Sequence, residues 1–325
     1  PIVPVTDLTI KNDNLIVATQ GRSFWLIDDI TPLHQLNETV AKSDIHLFKP
    51  MPSYRMNGAQ AGRRGQPKNE GTNHPNGVMI HYFLKDTTKT VASLEILEKS
   101  GTLIKKFATK PDKKANEEDL KIKPGMNKFN WNMRYANAEG FDGLIMWGGS
   151  LTGPKAVPGI YKAKLTVNGK ATETEFEIVK DPRSSGTVAD IKEQFDFSIA
   201  VRDKLTETHK AIKKIRAARE QINRVTEPMK GKADMKEVTD LAKSILDDMK
   251  SVEEALYQTK NRSGQDPLNY PVRLNNKLAA AGSEVDGGDY KPTEQAKAVS
   301  KEITEKIDIQ LNQLNKVMTE KLPRF

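Results

Sequence analysis

The chain contains no cysteine, and this absence limits the chemistry that it can perform. Without cysteine there is no disulfide, no thiolate ligand for a metal and no cysteine nucleophile. No hydrophobic run approaches the roughly 20 residues that span a bilayer, so we predict no membrane span. The lack of cysteine suits a cytosolic protein and equally an exported bacterial protein that relies on the size of its core.

Motifs for catalysis and cofactor binding are also missing. There is no P-loop, no GxGxxG and no GxSxG sequence. The loop at 286–289 (DGGD) lacks the alternating acids and terminal glutamate of an EF-hand, so we interpret it as a plain loop. We therefore predict no cofactor and no metal. Whether the chain belongs to an enzyme is left open.

The histidines are scattered and lack the spacing of a metal motif such as HExxH. His81 stands in an apolar strand pattern, which favours a buried or edge position over a ligand role. His209 falls on or beside a helical seam, where a polar residue commonly sets the register. The five histidines of the chain are His34, His46, His74, His81 and His209.

The net charge is +8, with the basic excess concentrated before residue 180 and densest between Lys105 and Lys128. A basic balance raises the possibility of nucleic-acid binding. However, no aromatic residues alternate with these lysines to provide a stacking surface for bases. We therefore interpret this stretch as a solvated lysine-rich loop and predict no nucleic-acid partner.

Three short strands are predicted near the start of the chain, at residues 7–10, 14–19 and 23–28, separated by turn signals. Three strands bury too little surface to be stable alone. Nothing similar follows them in the chain. We expect these strands to be the remnant of the last blade of a larger β-propeller, which makes the chain the C-terminal piece of a longer protein.

A β pattern with about seven short strands extends from residue 77 to residue 179. Its clearest hairpin has Asn168-Gly169 as a two-residue turn, with Lys162 and Lys164 facing glutamates of the returning strand. This pattern predicts an immunoglobulin- or fibronectin-like β-sandwich. The polar stretch 51–76 in front of it has no periodicity and is expected to be a long loop.

The period changes to helical after Pro182. Apolar stripes predict long helices over about 187–225, 235–256 and 292–318, which implies an antiparallel helical bundle or coiled coil. We therefore predict three domains: a terminal blade and connector at 1–45, a β-sandwich with its long loop at 46–182, and a helical bundle at 183–325.

Two groups of residues are candidates for functional sites, the acidic pair 28–29 and an aromatic loop near residue 147. Asp28 and Asp29 are adjacent carboxylates, but adjacent strand residues point to opposite faces and cannot flank one glycosidic bond. We assign them a structural role, including pairing with Arg22, and place Phe24 and Trp25 in the core between blades. Trp147 and Phe141 belong to a glycine-rich loop that either contacts a glycan or protein partner or covers one end of the sandwich core.

The stretch 18–36 (ATQGRSFWLIDDITPLHQL) resembles the end of the propeller in bacterial sortilin-like, BNR-repeat "glycosyl hydrolase-like" proteins. In that family a Gly-Arg-x-Phe-Trp-x-(Ile/Leu)-Asp-Asp-(Ile/Leu) signature closes the last blade. Further similar segments follow in order at 77–84, 125–135, 157–161, 180–183 and 266–279. The signature residues in this chain are Gly21, Arg22, Phe24, Trp25, Asp28 and Asp29.

The resemblance implies a large propeller, then a β-sandwich and a helical tail, usually in periplasmic, outer-membrane-associated or secreted proteins. It supplies no catalytic residue, because the Asp-box of sialidase propellers does not occur in this chain. We expect a non-catalytic region that contacts its own upstream propeller and supports assembly or partner binding. The alternatives are a glycosidase- or peptidase-like hydrolase whose site lies in the propeller, and a helical docking module that self-associates or binds another protein.

Overall fold

The computed structural model describes residues 2–56, 75–112, 115, 117–229 and 231–325. The elements confirm the predicted order of β structure followed by helices. The chain divides into two compact units. Unit 1 comprises Pro1–Ala136 and Lys155–Ser184, and unit 2 comprises Asn137–Pro154 and Ser185–Phe325. Residues 137–154 thus pack with the helices, although the sequence analysis grouped them with the β region.

Unit 1 contains the strands and two single-turn helices. The strands are β1 (Val5–Lys11), β2 (Asn14–Thr19), β3 (Phe24–Ile27), β4 (Ile45–Leu47), β5 (Ser53–Arg55), β6 (Val78–Leu84), β7 (Ala92–Glu98), β8 (Leu103–Ala108), β9 (Glu118–Asp119), β10 (Gly125–Trp131), β11 (Gly159–Val167) and β12 (Lys170–Lys180). The short helices are α1 (Thr31–His34) and α2 (Glu38–Ala41). The sheets have the orders β1-β2-β3, β10-β6-β4 and β5-β12-β11-β7-β8-β9. Most of the predicted loop 51–76 lies outside the described residues.

The hairpin of β11 and β12 has the predicted turn. Asn168 and Gly169 adopt φ angles of 48° and 85°, so both central residues are left-handed, as a two-residue hairpin turn with the twist of the strands requires. Along β11 the side chains alternate between buried and half-buried. Lys162 pairs with Glu173 at 3.1 Å, whereas Lys164 pairs with Glu95 of β7 at 3.3 Å.

The stretch between Lys105 and Lys128 is only in part the solvated loop that its composition predicted, because Lys105 and Lys106 belong to β8, whereas residues 120–124 lie outside strands. Lys105 lies in β8 and its side chain is only 9% exposed, because its ammonium pairs with Glu118 of β9 at 2.7 Å. Lys106 pairs with Glu117 at the same distance. The acidic residues that interrupt the lysines in sequence are their partners in space, and both strands belong to the six-stranded sheet.

Unit 2 contains the long helices α3 (Val188–Thr226), α4 (Lys236–Leu256), α5 (Leu274–Val285) and α6 (Glu294–Lys316). Thr187 and Asp190 form the capping box that starts α3, and Thr293 caps α6 through the backbone N–H of Ala296. The three predicted apolar stripes and the shorter helix α5 together form one core. Its fully buried members include Ile212, Ile215, Ile245, Met249, Val252, Leu256, Leu278 and Ile307.

Candidate interaction surfaces

The sheet β1-β2-β3 has one face on which two neighbouring rows of side chains are apolar. Its register places Leu8, Val17 and Trp25 side by side, and places Ile10, Leu15 and Ile27 in the neighbouring row. Directly opposed residues point to the same side of an antiparallel sheet. Leu8 and Ile10 are 58% and 60% exposed, and Trp25 and Ile27 are 50% and 52% exposed. An apolar row of this extent is typical of an interaction surface.

The opposite face of this sheet also exposes apolar side chains. It carries Ile16 and Leu26 beside Thr9, and Phe24 beside Ala18 and Asp7. Phe24 is 76% exposed and Leu26 is 55% exposed. The two aromatic residues that were expected to fill a core between blades, Phe24 and Trp25, therefore lie on opposite faces of the sheet, and each is at least half exposed.

Residues 21–25, which carry part of the resemblance described above, shape the end of this sheet. Gly21 and Ser23 adopt φ angles of 77° and 62° in the loop before β3. Trp25 donates a hydrogen bond from Nε1 to the backbone carbonyl of Arg22 at 3.0 Å, which fixes the position of the indole ring. Among the described residues, the guanidinium of Arg22 forms no ion pair with Asp28 or Asp29, so the expected pairing is wrong.

Asp29 instead fixes the chain where it leaves the sheet. Its Oδ1 accepts hydrogen bonds from the backbone N–H and the hydroxyl of Thr31, at 2.9 and 2.6 Å. Its Oδ2 lies 3.5 Å from Nδ1 of His81 on β6. Burial lowers the pKa of His81. The charge of Asp29 opposes this shift, and the charge of Lys128 adds to it. The carboxylate thus connects the connector helix α1 to the second sheet, which is a structural role.

The loop 137–154 of unit 2 holds both residues predicted to contact a partner. The ring of Phe141 packs edge-on against His209 and Tyr257, at centroid distances of 5.2 and 5.0 Å. The guanidinium of Arg216 lies 4.6 Å above the same ring. Phe141 is therefore engaged within its own unit, and Trp147, which is 44% exposed, is the residue of this pair that reaches solvent.

Asn276 on α5 holds the backbone of Trp147 in two directions. Its Oδ1 accepts from the Trp147 N–H at 2.5 Å, and its Nδ2 donates to the Trp147 carbonyl. The hydroxyl of Tyr257 likewise accepts from the Ile145 N–H and donates to the Gly143 carbonyl, at 3.2 and 3.1 Å. The backbone of Trp147 is thus held by Asn276 of α5, within unit 2.

His209 is fully buried in α3 and has one defined tautomer. Nδ1 lies 2.6 Å from the Glu139 carbonyl, which can only accept, so Nδ1 carries the proton. Nε2 accepts from Nδ2 of Asn275 at 3.2 Å. Burial lowers the pKa of His209; the bond to Glu139 opposes this and Lys213 reinforces it. The residue is a neutral part of the helical core.

Glu253 is a buried charge that the sequence analysis did not single out. It is 2% exposed and accepts from Nε of Arg216 at 2.8 Å and from Nη2 of Arg219 at 2.5 Å. It lies four residues after Met249 and three before Leu256, within the apolar stripe of α4. This position could have identified Glu253 from the sequence, because a carboxylate on an apolar helix stripe needs charged partners when it is buried.

Among the residues that the structure describes, no group of three or more His, Asp or Glu residues could hold a metal ion. His74 lies outside the described residues. The helices of the described ranges include none that is both long and apolar enough to cross a bilayer.

The comparisons with known proteins identify no family. No family model and no curated protein matches the chain. Among solved structures, one similar chain is pT26-6p, with 12% identity and a TM-score of 0.17. The match covers 73% of this chain and only 46% of that chain, so this chain spans less than half of its length.

Proposed function

We propose that this chain is the non-catalytic C-terminal region of an exported, sortilin-like BNR-repeat propeller protein. In this proposal β1-β2-β3 is the last blade and packs on the upstream propeller. The rest of the chain supports assembly or the binding of a protein partner. The observation that carries the proposal is the exposure of apolar side chains on both faces of the three-stranded sheet.

The two faces of the sheet β1-β2-β3 both need to be covered by other parts of a protein. A sheet in a two-layer fold buries one face and leaves polar residues on the other. Here Leu8 and Trp25 on one face and Leu26 and Phe24 on the other are all at least half exposed. A sheet with apolar residues on both faces needs a neighbour on each side, and a blade within a radial array of blades has two such neighbours.

We propose that the other two sheets of unit 1 form the immunoglobulin- or fibronectin-like sandwich. Side chains of the three-stranded sheet β10-β6-β4 meet those of the six-stranded sheet. Trp131 of β10 lies 6.0 Å, between ring centroids, from Tyr161 of β11 and from Phe176 of β12. Phe129 of β10 lies 4.6 Å from Phe107 of β8. These ring contacts are those of a core shared by two facing sheets.

We also propose that the helices of unit 2 form the antiparallel bundle. One apolar core takes side chains from α3, α4, α5 and α6, which supports a closed arrangement. A helical region closed on itself leaves partner binding to exposed positions such as Trp147. The mass of the chain at increasing concentration tests this, because a self-associating coiled coil gains mass and a closed bundle does not.

The blade assignment is tested by footprinting, with two tryptophans as a matched pair. Trp25 and Trp147 are 50% and 44% exposed, so hydroxyl radicals should oxidise them at similar rates in the 325-residue chain. In the natural protein, isolated from its source and characterised by intact mass, oxidation of Trp25 should fall well below that of Trp147. Equal oxidation of both residues in a longer natural protein contradicts the proposal.

Activity and location are tested separately. Glycosidase or peptidase activity in the purified chain would refute the non-catalytic assignment. Activity found only in the longer natural protein would instead support the alternative, in which a hydrolase site lies in the propeller. Fractionation of cells that make the natural protein checks export, and we expect it in the periplasmic, outer-membrane or secreted fraction.

A further inference from the structure

Unit 1 also contains a groove between β10 on one side and β8 and β9 on the other. The cavity has a volume of about 440 Å³. One wall comes from β10, the terminal strand of the three-stranded sheet, and the other from β8 and β9, at the end of the six-stranded sheet. This volume lies within the range of small-ligand sites.

The floor of the groove is aromatic and its walls are polar. Phe107 is 5% exposed, and its ring lies 4.6 Å from that of the half-buried Phe129. Glu118 and Asp119 of β9 line one side, and Asn132, just after β10, lines the other. An aromatic floor with a few convergent polar groups is the usual composition of a binding site.

Lys105 is the unusual member of this lining. Its side chain is 9% exposed, yet it borders the cavity, and its ammonium lies 2.7 Å from Oε1 of Glu118. An ammonium has three N–H donors, and a carboxylate has two oxygens that accept. The Lys105–Glu118 pair can therefore donate to and accept from a ligand at the same time.

Asn132 adds further donors to this set. Its Oδ1 accepts from the Arg134 N–H at 3.1 Å, which fixes the direction of the amide. The Nδ2 of the same amide then carries two N–H donors beside the cavity. The groove thus combines ammonium and amide donors with carboxylate acceptors, all close to an aromatic ring.

We propose that this groove binds a neutral saccharide. An anionic ligand would meet the carboxylate of Glu118, and a cationic ligand would meet the buried ammonium of Lys105. Each hydroxyl of a sugar both donates and accepts, so neighbouring hydroxyls satisfy the mixed lining without a net charge. The apolar C–H face of the ring packs on Phe129. This inference is independent of the packing of β1-β2-β3.

The test uses the 325-residue chain and four neutral probes: maltotriose, cellotriose, galactobiose and diacetylchitobiose. Saturation-transfer NMR should show binding of at least one probe at millimolar concentration, strongest at ring C–H protons. Asn132→Asp keeps the acceptor for Arg134 and removes the donors, so it should weaken binding about fivefold. Phe129→Leu keeps an apolar side chain and removes the ring, and should weaken binding about threefold.

Met126→Ala is the matched control, because Met126 is 40% exposed on the same strand but does not line the groove. It should bind as the unchanged chain does. Thermal unfolding of each variant checks that the fold is kept, and Asn132→Asp carries the test if Phe129→Leu does not fold. Saturation transfer to none of the four probes overturns the proposal, as does equal binding by Asn132→Asp, or loss of binding in Met126→Ala.

Discussion

Replacing Glu253 by glutamine tests how strongly a buried ion pair holds the helices of unit 2 together. In the structure the carboxylate is 2% exposed and accepts hydrogen bonds from Arg216 on α3, at 2.8 Å, and from Arg219 on the same helix, at 2.5 Å. Arg216 also packs over the ring of Phe141. The substitution removes the charge with almost no change of shape.

The expected loss follows from the two bonds and the exposure of the arginines. Each charge-assisted hydrogen bond contributes about 1.5–3 kcal/mol, and the glutamine oxygen restores one neutral bond of about 1 kcal/mol. The arginine side chains remain 36% and 33% exposed, so water partly replaces the lost partner. We therefore expect Glu253→Gln to lower the free energy of unfolding of unit 2 by about 2 kcal/mol.

Urea unfolding followed by circular dichroism at the helical band measures this loss, since the long helices all belong to unit 2. With a urea dependence of about 2 kcal/mol per molar, the midpoint should fall by about 1 M. Glu220→Gln is the matched control, because Glu220 pairs with Arg224 at 2.9 Å while 72% exposed. Its midpoint should stay unchanged. Equal midpoints for both variants would refute the reasoning.

Three further predictions concern single positions. Gly77→Ala should destabilise unit 1 by roughly 3 kcal/mol or more, because φ is +129° and a Cβ would lie 2.2 Å from the Trp131 carbonyl oxygen. The control is Gly101→Ala, where φ is +95° and the space around the Cβ is open. In thermal unfolding, the melting temperature of the Gly77 variant should lie far below that of the Gly101 variant. Burial lowers the pKa of His209, the histidine of unit 2, so the unfolded chain binds its proton more readily. The free energy of unfolding of unit 2 should therefore decline as the pH falls below about 6.5 and through the folded-state pKa of His209. Urea midpoints measured between pH 7.5 and 5.5 should show this decline. In His209→Gln the midpoints should change less over the same range. Asn276→Ala removes both bonds to the Trp147 backbone, so exchange of the Trp147 amide proton should accelerate; an unchanged rate would contradict the role of Asn276.

The sequence determined the elements whose signals are local. The starts of α3 and α6 follow from Thr187 and Thr293, whose side chains accept backbone N–H groups within the next turn. The turn at Asn168-Gly169 follows from the tolerance of these two residues for positive φ. Apolar spacing located the long helices, because a 3.6-residue period needs no information from distant parts of the chain.

Tertiary structure decided the features that join distant positions. Residues 137–154 belong to unit 2 because distant side chains satisfy their backbone groups. Tyr257 accepts from the N–H of Ile145, 112 positions away, and Asn276 accepts from the N–H of Trp147, 129 positions away. Lys105 is buried because Glu118 of a neighbouring strand neutralises it. No local pattern contains these pairings. A buried polar group is stable only where partners converge on it, and the fold alone brings those partners together.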